Sequence, residues 1–353
     1  MKAPAAPEGG GAAAEPQTDP RPPEEDAGDD VLPHPTAGMV LHRVLARAAH
    51  TFLLNDVGGE LSVLPERCET VDAQNVHIGS MPEWARSAAT ELDASQRRST
   101  EIERIHQSRV ALRRIRSNLR TFRLAVDPKW GTSLRAELAW YANQLGQARD
   151  LQIIQGTIAR TGPGLIAPDE VAALDAILDA RTAAALADIV AERGGARRFQ
   201  LTEQMMVLWD GPAFKERAKR PAVQVLDPLL HRAWHDLRGA ARAARKEPTD
   251  THLHKVRIRL KDLRYGCDTV ALVEGGPARK TAKAAERLQN QLGNLHDADF
   301  AIEWLEDLAR TEPDLKDPID QLVAVQRDEA AAARKGWKRG LKEVDRRWRN
   351  WHT

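Results

Sequence analysis

The chain has 353 residues, enough for one large domain or two ordinary ones. Hydrophobic residues make up 42% and aromatics only 5%, with abundant Ala, Leu and Arg, a balance that favours helices over strands. No apolar run approaches the ~20 residues of a membrane span, and the two cysteines, Cys68 and Cys267, form neither a disulfide framework nor a metal pattern.

The net charge of +1 hides an asymmetry. Residues 1–33 carry eight acids against Lys2 and Arg21, so the rest of the chain holds a surplus of seven basic residues. That acidic stretch also contains seven prolines and almost no large apolar side chain. Residues 1–35 are therefore expected to be a disordered tail. The N-terminus lacks a basic, apolar, small-residue signal pattern, so no export is expected and a reducing, cytoplasmic setting fits best.

In chain order, the first helix is expected at 39–55, where Val40, Val44, Ala48 and Phe52 share a face. Residues 56–99, with Gly58-Gly59, Pro65 and Pro82, read as an irregular insertion containing one short helix at 82–96. A basic helix follows at 101–126, stopped by Asp127-Pro128. A long amphipathic helix is expected at 133–160 with Gly146 inside it, then a break at Gly162-Pro163-Gly164. Helices at 168–193, ended by Gly194-Gly195, and at 197–209 complete a first half, 36–211. After a linker at 210–222, four helices at 224–246, 250–273, 278–310 and 316–348 make a second half, 222–353. No segment shows sustained period-two alternation, so no strand is expected.

The halves resemble each other. His106-x-x-Arg109-x-x-x-Arg113-Arg114-x-Arg116 matches His254-x-x-Arg257-x-x-x-Lys261-Asp262-x-Arg264. Asn143-Gln144-Leu145-Gly146-x-x-Arg149-Asp150 matches Asn290-Gln291-Leu292-Gly293-x-x-His296-Asp297 at nearly the same offset. The expected fold is all-α, a duplicated bundle of two pseudo-symmetric four-helix units around a basic central trough.

The repeated helix carries the chemistry. In its first copy Ile105, Leu112, Ile115, Leu119, Phe122 and Val126 form an apolar stripe, and His106, Arg113, Arg116, Arg120 and Arg123 each sit one position later, with Arg109 on the same line. One residue is ~100° of rotation, so the basic stripe flanks the core. The second copy sets Leu253, Leu260, Leu263, Cys267 and Val270 beside His254, Arg257, Lys261 and Arg264. Helix 224–246 adds His235, Arg238, Arg242 and Arg245. A solvated face would mix signs at i,i+4, whereas these lines nearly lack acids and prefer arginine, which suits multidentate contact with phosphate oxygens. His106 and His254 have two open roles, a bond to a neighbouring helix or a contact to the anion; a metal role is disfavoured because no second His or Cys stands at i+3 or i+4. Asp150 and Asp297 read as carboxylates that orient basic side chains, and the Leu-Gly pairs as points of close helix packing. Trp304, Trp337 and Trp348 suit core roles. The sequence has no Gly-rich phosphate loop, GxSxG, HExxH or CxxC pair, so no catalytic residue, cofactor or metal is expected.

These motifs closely resemble the CHAD family, the conserved histidine α-helical domain, over residues 36–353. The resemblance implies a helical duplicated domain whose basic surface binds inorganic polyphosphate, with an association with polyphosphate granules. It implies ligand contacts for His106, Arg109, Arg113, Arg114, Arg116, Arg120, His254, Arg257, Lys261, Arg264 and Tyr265. Arg149, Arg238, Arg242 and His296 form a second tier of basic residues from the reading above. Asp262 and Lys261 depart from the first copy, and the insertion at 56–99 lengthens the usual gap. No CYTH triphosphatase-type domain precedes the motif, which removes the main reason to expect hydrolysis. The alternatives are nucleic-acid backbone binding, which would favour aromatics interleaved with the arginines, and an enzyme of polyphosphate or triphosphate, which would favour carboxylates holding Mg²⁺. No membrane partner is expected.

Overall fold

A computed structural model describes residues 34–56, 94–212 and 214–353. Within them the chain forms ten α-helices: α1 (Ala37–Asp56), α2 (Ala94–Thr121), α3 (Pro128–Gln144), α4 (Gly146–Thr161), α5 (Pro168–Arg193), α6 (Ala196–Asp210), α7 (Ala222–Lys246), α8 (Asp250–Glu274), α9 (Gly276–Thr311) and α10 (Lys316–Trp351). Among the described residues there is no strand, only isolated bridges such as Thr36 with Pro221 and Val126 with Phe214. The molecule is all-α, and no described helix is long and apolar enough to cross a membrane.

The boundaries differ from expectation in places that have physical causes. Residues 94–99, assigned to the insertion, already belong to α2. The rest of that insertion after Asp56, most of the short helix expected at 82–96, and residues 1–33 of the tail lie outside the described residues. The basic helix ends at Thr121, not at 126: residues 122–125 form a turn, and Asp127-Pro128 starts α3 instead, the Asp127 carboxylate accepting from the Trp130 backbone N–H at 2.8 Å and Pro128 taking the first helical position. The single helix expected at 133–160 is two helices meeting at Leu145. In a continuous helix the Ala142 carbonyl would accept from Gly146. Here it accepts from Nη1 of Arg109 at 3.1 Å, and a side chain inserted into the ladder breaks a helix at that point.

The apolar stripes do go inside. Ile105, Leu112, Ile115, Leu119, Phe122 and Val126 are buried, as are Leu253, Leu260, Leu263, Cys267 and Val270. The helices α1 to α6 share one core around Phe52, Leu112, Leu138 and Tyr141. The start of α1 joins α7 to α10 in a second, around Leu230, Leu260, Leu288 and Trp337. A third joins α4 and α5 to the end of α9 and the start of α10. The linker is pinned rather than loose. Lys215 N donates to Ala125 O at 3.0 Å, Ala37 N to Arg220 O at 3.0 Å and Ala222 N to Pro35 O at 2.9 Å.

One buried polar network staples the first core. The Tyr141 hydroxyl donates to Asp56 at 2.6 Å, the Arg198 guanidinium donates to the same carboxylate, and Arg193 pairs with Glu101 at 2.6 Å. Burial and the adjacent Asp56 charge push the Tyr141 phenol well above its usual range.

Candidate functional site

Two basic helices from different halves, α2 and α8, pack directly on each other. Gly266 sets how closely they approach. A Cβ there would stand 2.6 Å from Leu230 Cδ1 and 3.2 Å from Thr121 Cγ2, so a side chain would have to displace the Leu230 and Thr121 side chains or part the helices. The Thr269 hydroxyl then donates to Asn118 Oδ1 across the contact at 2.7 Å.

This crossing gathers charge. Arg109 and Arg113 from α2, Arg257 and Lys261 from α8, and Arg149 from α4 act on one another electrostatically, joined by Asp150 from α4 and Asp297 from α9. Five cations thus face two carboxylates. Burial, outweighing Asp150 and reinforced by Arg113, Arg149 and Arg257, lowers the Arg109 pKa to about 10. Burial also lowers Arg257, against the pull of Asp297 and with a push from Arg113. It lowers Lys261 well below the usual range, with Arg257, Arg113 and Arg109 adding to the effect. His254 and His296 sit beside them, ring centroids 5.1 Å apart. Burial, then Arg257, His254 and Lys261, press His296 down to about 4, and His254 is lowered by burial, Arg257 and Lys261. His296 also keeps a solvent-exposed edge.

Arg109 and Arg257 stand in matching relations to their neighbours. Arg109 Nη1 lies 3.1 Å from where a Cβ of Gly146 would be, and Arg257 Nε lies 3.8 Å from that of Gly293. The first electrostatic partner of each is the acid four residues beyond its glycine, Asp150 and Asp297. The Leu-Gly elements therefore make room for guanidinium groups as well as for helices. Burial raises the pKa of both carboxylates, opposed by the arginines, and Asp297 raises Asp150 further.

A second basic group continues along α2. Arg116 and Arg120, with Arg135 from α3, surround Asp262. Arg120 donates to Asp262 at 3.1 Å and Arg259 at 3.5 Å. Asp262, the acid standing where the first copy has Arg114, is an internal counter-charge that orients arginines of both helices. The line from Arg109 to Arg120 covers about 16–17 Å of helix, so the two groups form one elongated basic surface.

Other motif residues lie elsewhere. Arg264 is buried in an ion pair with Glu286 at 2.7 Å, its guanidinium 5.1 Å from the centroid of the Tyr265 ring. Tyr265 is itself buried, its hydroxyl accepting from Arg113 Nε at 3.1 Å, and Arg114 lies over the same ring at 5.7 Å. His106 is half-buried one turn before Arg109. Arg238 and Arg242 are exposed on α7. Arg135 and Arg259 belong to the basic surface but carry no motif signal; only the packing of α3 and α8 onto α2 brings them in.

The same helical arrangement occurs in solved proteins. The structure of PptA from Streptomyces chartreusis is similar with a TM-score of 0.60 at 21% identity, covering 87% of this chain and 99% of that one. The CHAD domain from the plant Ricinus communis is similar with a TM-score of 0.61 at 19% identity, covering 88% and 92%. No curated protein sequence matches the chain. The family model of the CHAD domain matches residues 85–306, which span α2, α8 and both Leu-Gly elements that build the basic crossing. A match over most of the chain makes this chain a member of the CHAD-domain family.

Proposed function

We propose that the chain binds inorganic polyphosphate, without turning it over, in the basic surface where α2 crosses α8, and that its two halves are diverged copies sharing that surface. The observation that carries this reading is the crowding of Arg109, Arg113, Arg149, Arg257 and Lys261 around Asp150 and Asp297. Their mutual repulsion and partial burial oppose the charged state, and the negative charge of a bound polyanion relieves the repulsion and offsets the cost of burial. Arginine forks suit phosphate oxygens. A uniform, flexible chain of phosphates needs no base readout. Tyr265, the aromatic group at the crossing, is turned inward against Arg113, which disfavours stacking of nucleobases. Arg113 and Arg257 are the contacts best placed for ligand, while Arg264 and Tyr265 support them. Granule association in the cytoplasm would follow from such binding.

The test is a salt-titrated affinity measurement on polyphosphate and RNA side by side, at equal phosphate concentration. Polyphosphate should bind more tightly, with a linear loss of log affinity in log salt. RNA displacing polyphosphate would reverse the assignment. One observation favours a second reading: Asp150 and Asp297 act on each other across the halves, as carboxylates sharing a Mg²⁺–phosphate complex would. Mg²⁺-dependent phosphate release that disappears in Asp150→Asn would establish that reading in place of simple binding.

A further inference from the structure

A separate cluster of titratable side chains lies where the first turns of α7 meet the end of α10. Asp227 and His231 are one turn apart on α7 and share a face. His352, just after α10, reaches the same place. Its Nε2 is 3.1 Å from Oδ1 of Asp227, and Nε2 of His231 is 3.7 Å from Oδ2. One ligand atom from each of the three residues lies within 4.8 Å of the others. A tetrahedral ion with bonds of ~2.0–2.1 Å holds its ligands roughly 3.3–3.4 Å apart; each histidine already stands near that distance from one Asp227 oxygen, and small side-chain rotations would bring the three together.

The protonation pattern points the same way. His352 Nδ1 is 2.9 Å from the Trp348 carbonyl oxygen. A carbonyl only accepts, so Nδ1 carries the proton. That leaves Nε2 as the ring atom facing the Asp227 carboxylate at 3.1 Å, where an ion held between them would bind. Metal-bound histidines characteristically donate their other ring N–H to a carbonyl or carboxylate, which fixes the ring. The ring is further held by Trp348, stacked at 4.0 Å and 26°, and by Trp351 at 4.4 Å; Trp348 in turn stacks on Trp234 at 5.0 Å.

A second carboxylate adds negative charge. Glu274, at the end of α8, accepts from Trp351 Nε1 at 2.8 Å through Oε2, while its Oε1 is buried without a hydrogen-bond partner. Asp227 and His352 both act on it electrostatically. Two imidazoles with carboxylate oxygens are the donor set of a borderline first-row dication. Glu274 lies thirteen residues beyond Lys261 on α8, about 20 Å along the helix, so this cluster is distinct from the basic surface.

We propose that Asp227, His231 and His352 bind one divalent metal ion of the zinc class, which clasps the end of α10 onto the start of α7. The three ligands are half-buried, which leaves room for water to complete the coordination shell.

The test uses the full chain, free of any affinity tag and stripped with a chelator. Adding Co²⁺ should fill one site per chain, with the visible absorption of a low-symmetry nitrogen–oxygen site. It should also quench tryptophan emission, because Trp348 and Trp351 line the cluster. An equal amount of Zn²⁺ should reverse both signals and raise the melting temperature. Asp227→Asn keeps the shape but removes the anionic ligand, and His352→Gln removes a nitrogen. Each should weaken Co²⁺ binding about tenfold or more. His231→Asn, on the half-exposed rim, gives the same readout should either variant fail to fold. No uptake by the wild type at micromolar metal would overturn the proposal. Equal affinity in wild type and variants would also overturn it, by placing the ion elsewhere.

Discussion

Replacing His296 by Gln should remove most of the pH dependence of polyanion binding. In the free protein, burial and the cations Arg257 and Lys261 hold the His296 pKa at about 4, so its ring is neutral at physiological pH. A bound polyanion offsets the part of the shift that the cations cause and so raises the pKa toward its ordinary 6.5, while the part due to burial stays. Between those two values the complex holds more protons than the free protein. Affinity must therefore rise as pH falls through that window. Full recovery would strengthen binding about 20-fold between roughly pH 7 and pH 5. The exposed edge of the ring screens part of this, leaving about tenfold. Stability of the free protein moves in the opposite direction: with the folded pKa below the unfolded one, acidification through the same window favours the unfolded chain. The assay is polyphosphate affinity at several pH values for wild type and His296→Gln, with proton uptake measured calorimetrically in two buffers. Because both proteins meet the same ligand, protonation of the phosphate chain cancels in the comparison. Identical pH slopes, or wild-type affinity that falls on acidification, would refute the electrostatic reasoning.

Three further outcomes follow from the packing. The double variant Arg257→Gln with Lys261→Gln should lose polyanion affinity and reduce the salt slope by about 1.5–2, near 0.7–0.9 per phosphate contact. Its melting temperature should hold or rise, because mutual repulsion at the crossing is relieved. Asp56→Ala should cost about 3–5 kcal/mol in denaturant unfolding, since it leaves Arg198 buried without its carboxylate; polyanion affinity measured where the variant is folded should not change. Gly266→Ala should destabilise by about 1–3 kcal/mol through overpacking against Leu230 and Thr121. Because that glycine sets the spacing of α2 and α8, it should weaken polyphosphate binding as well, unlike Asp56→Ala.

Much of the local structure is legible in residue order. Helical periodicity and Pro/Gly punctuation locate α5 at Pro168–Arg193 without error, and most other helices to within a few residues. These signals are local, arising from backbone hydrogen bonding and from which side chains share a face. The α3–α4 break escapes the same logic because its cause is remote in sequence. Arg109 takes a carbonyl that helix periodicity assigns to Gly146.

The site divides along the same line. Residue types and spacing alone establish two basic stripes beside two apolar ones, the likeness of the two motif pairs, and the preference for arginine that points to phosphate. Which stripe residues face a ligand depends on how α2, α8, α4 and α9 cross. Arg264 has the spacing of a stripe residue yet is drawn inward by Glu286. Tyr265 is turned to Arg113, and Arg135 joins from a helix with no motif. Side chains on one helix share a face through 3.6-residue geometry, which any reader of the sequence can apply. Charges from four helices converge only where close contacts, such as the one Gly266 permits, settle the distances between them, and those contacts are non-local.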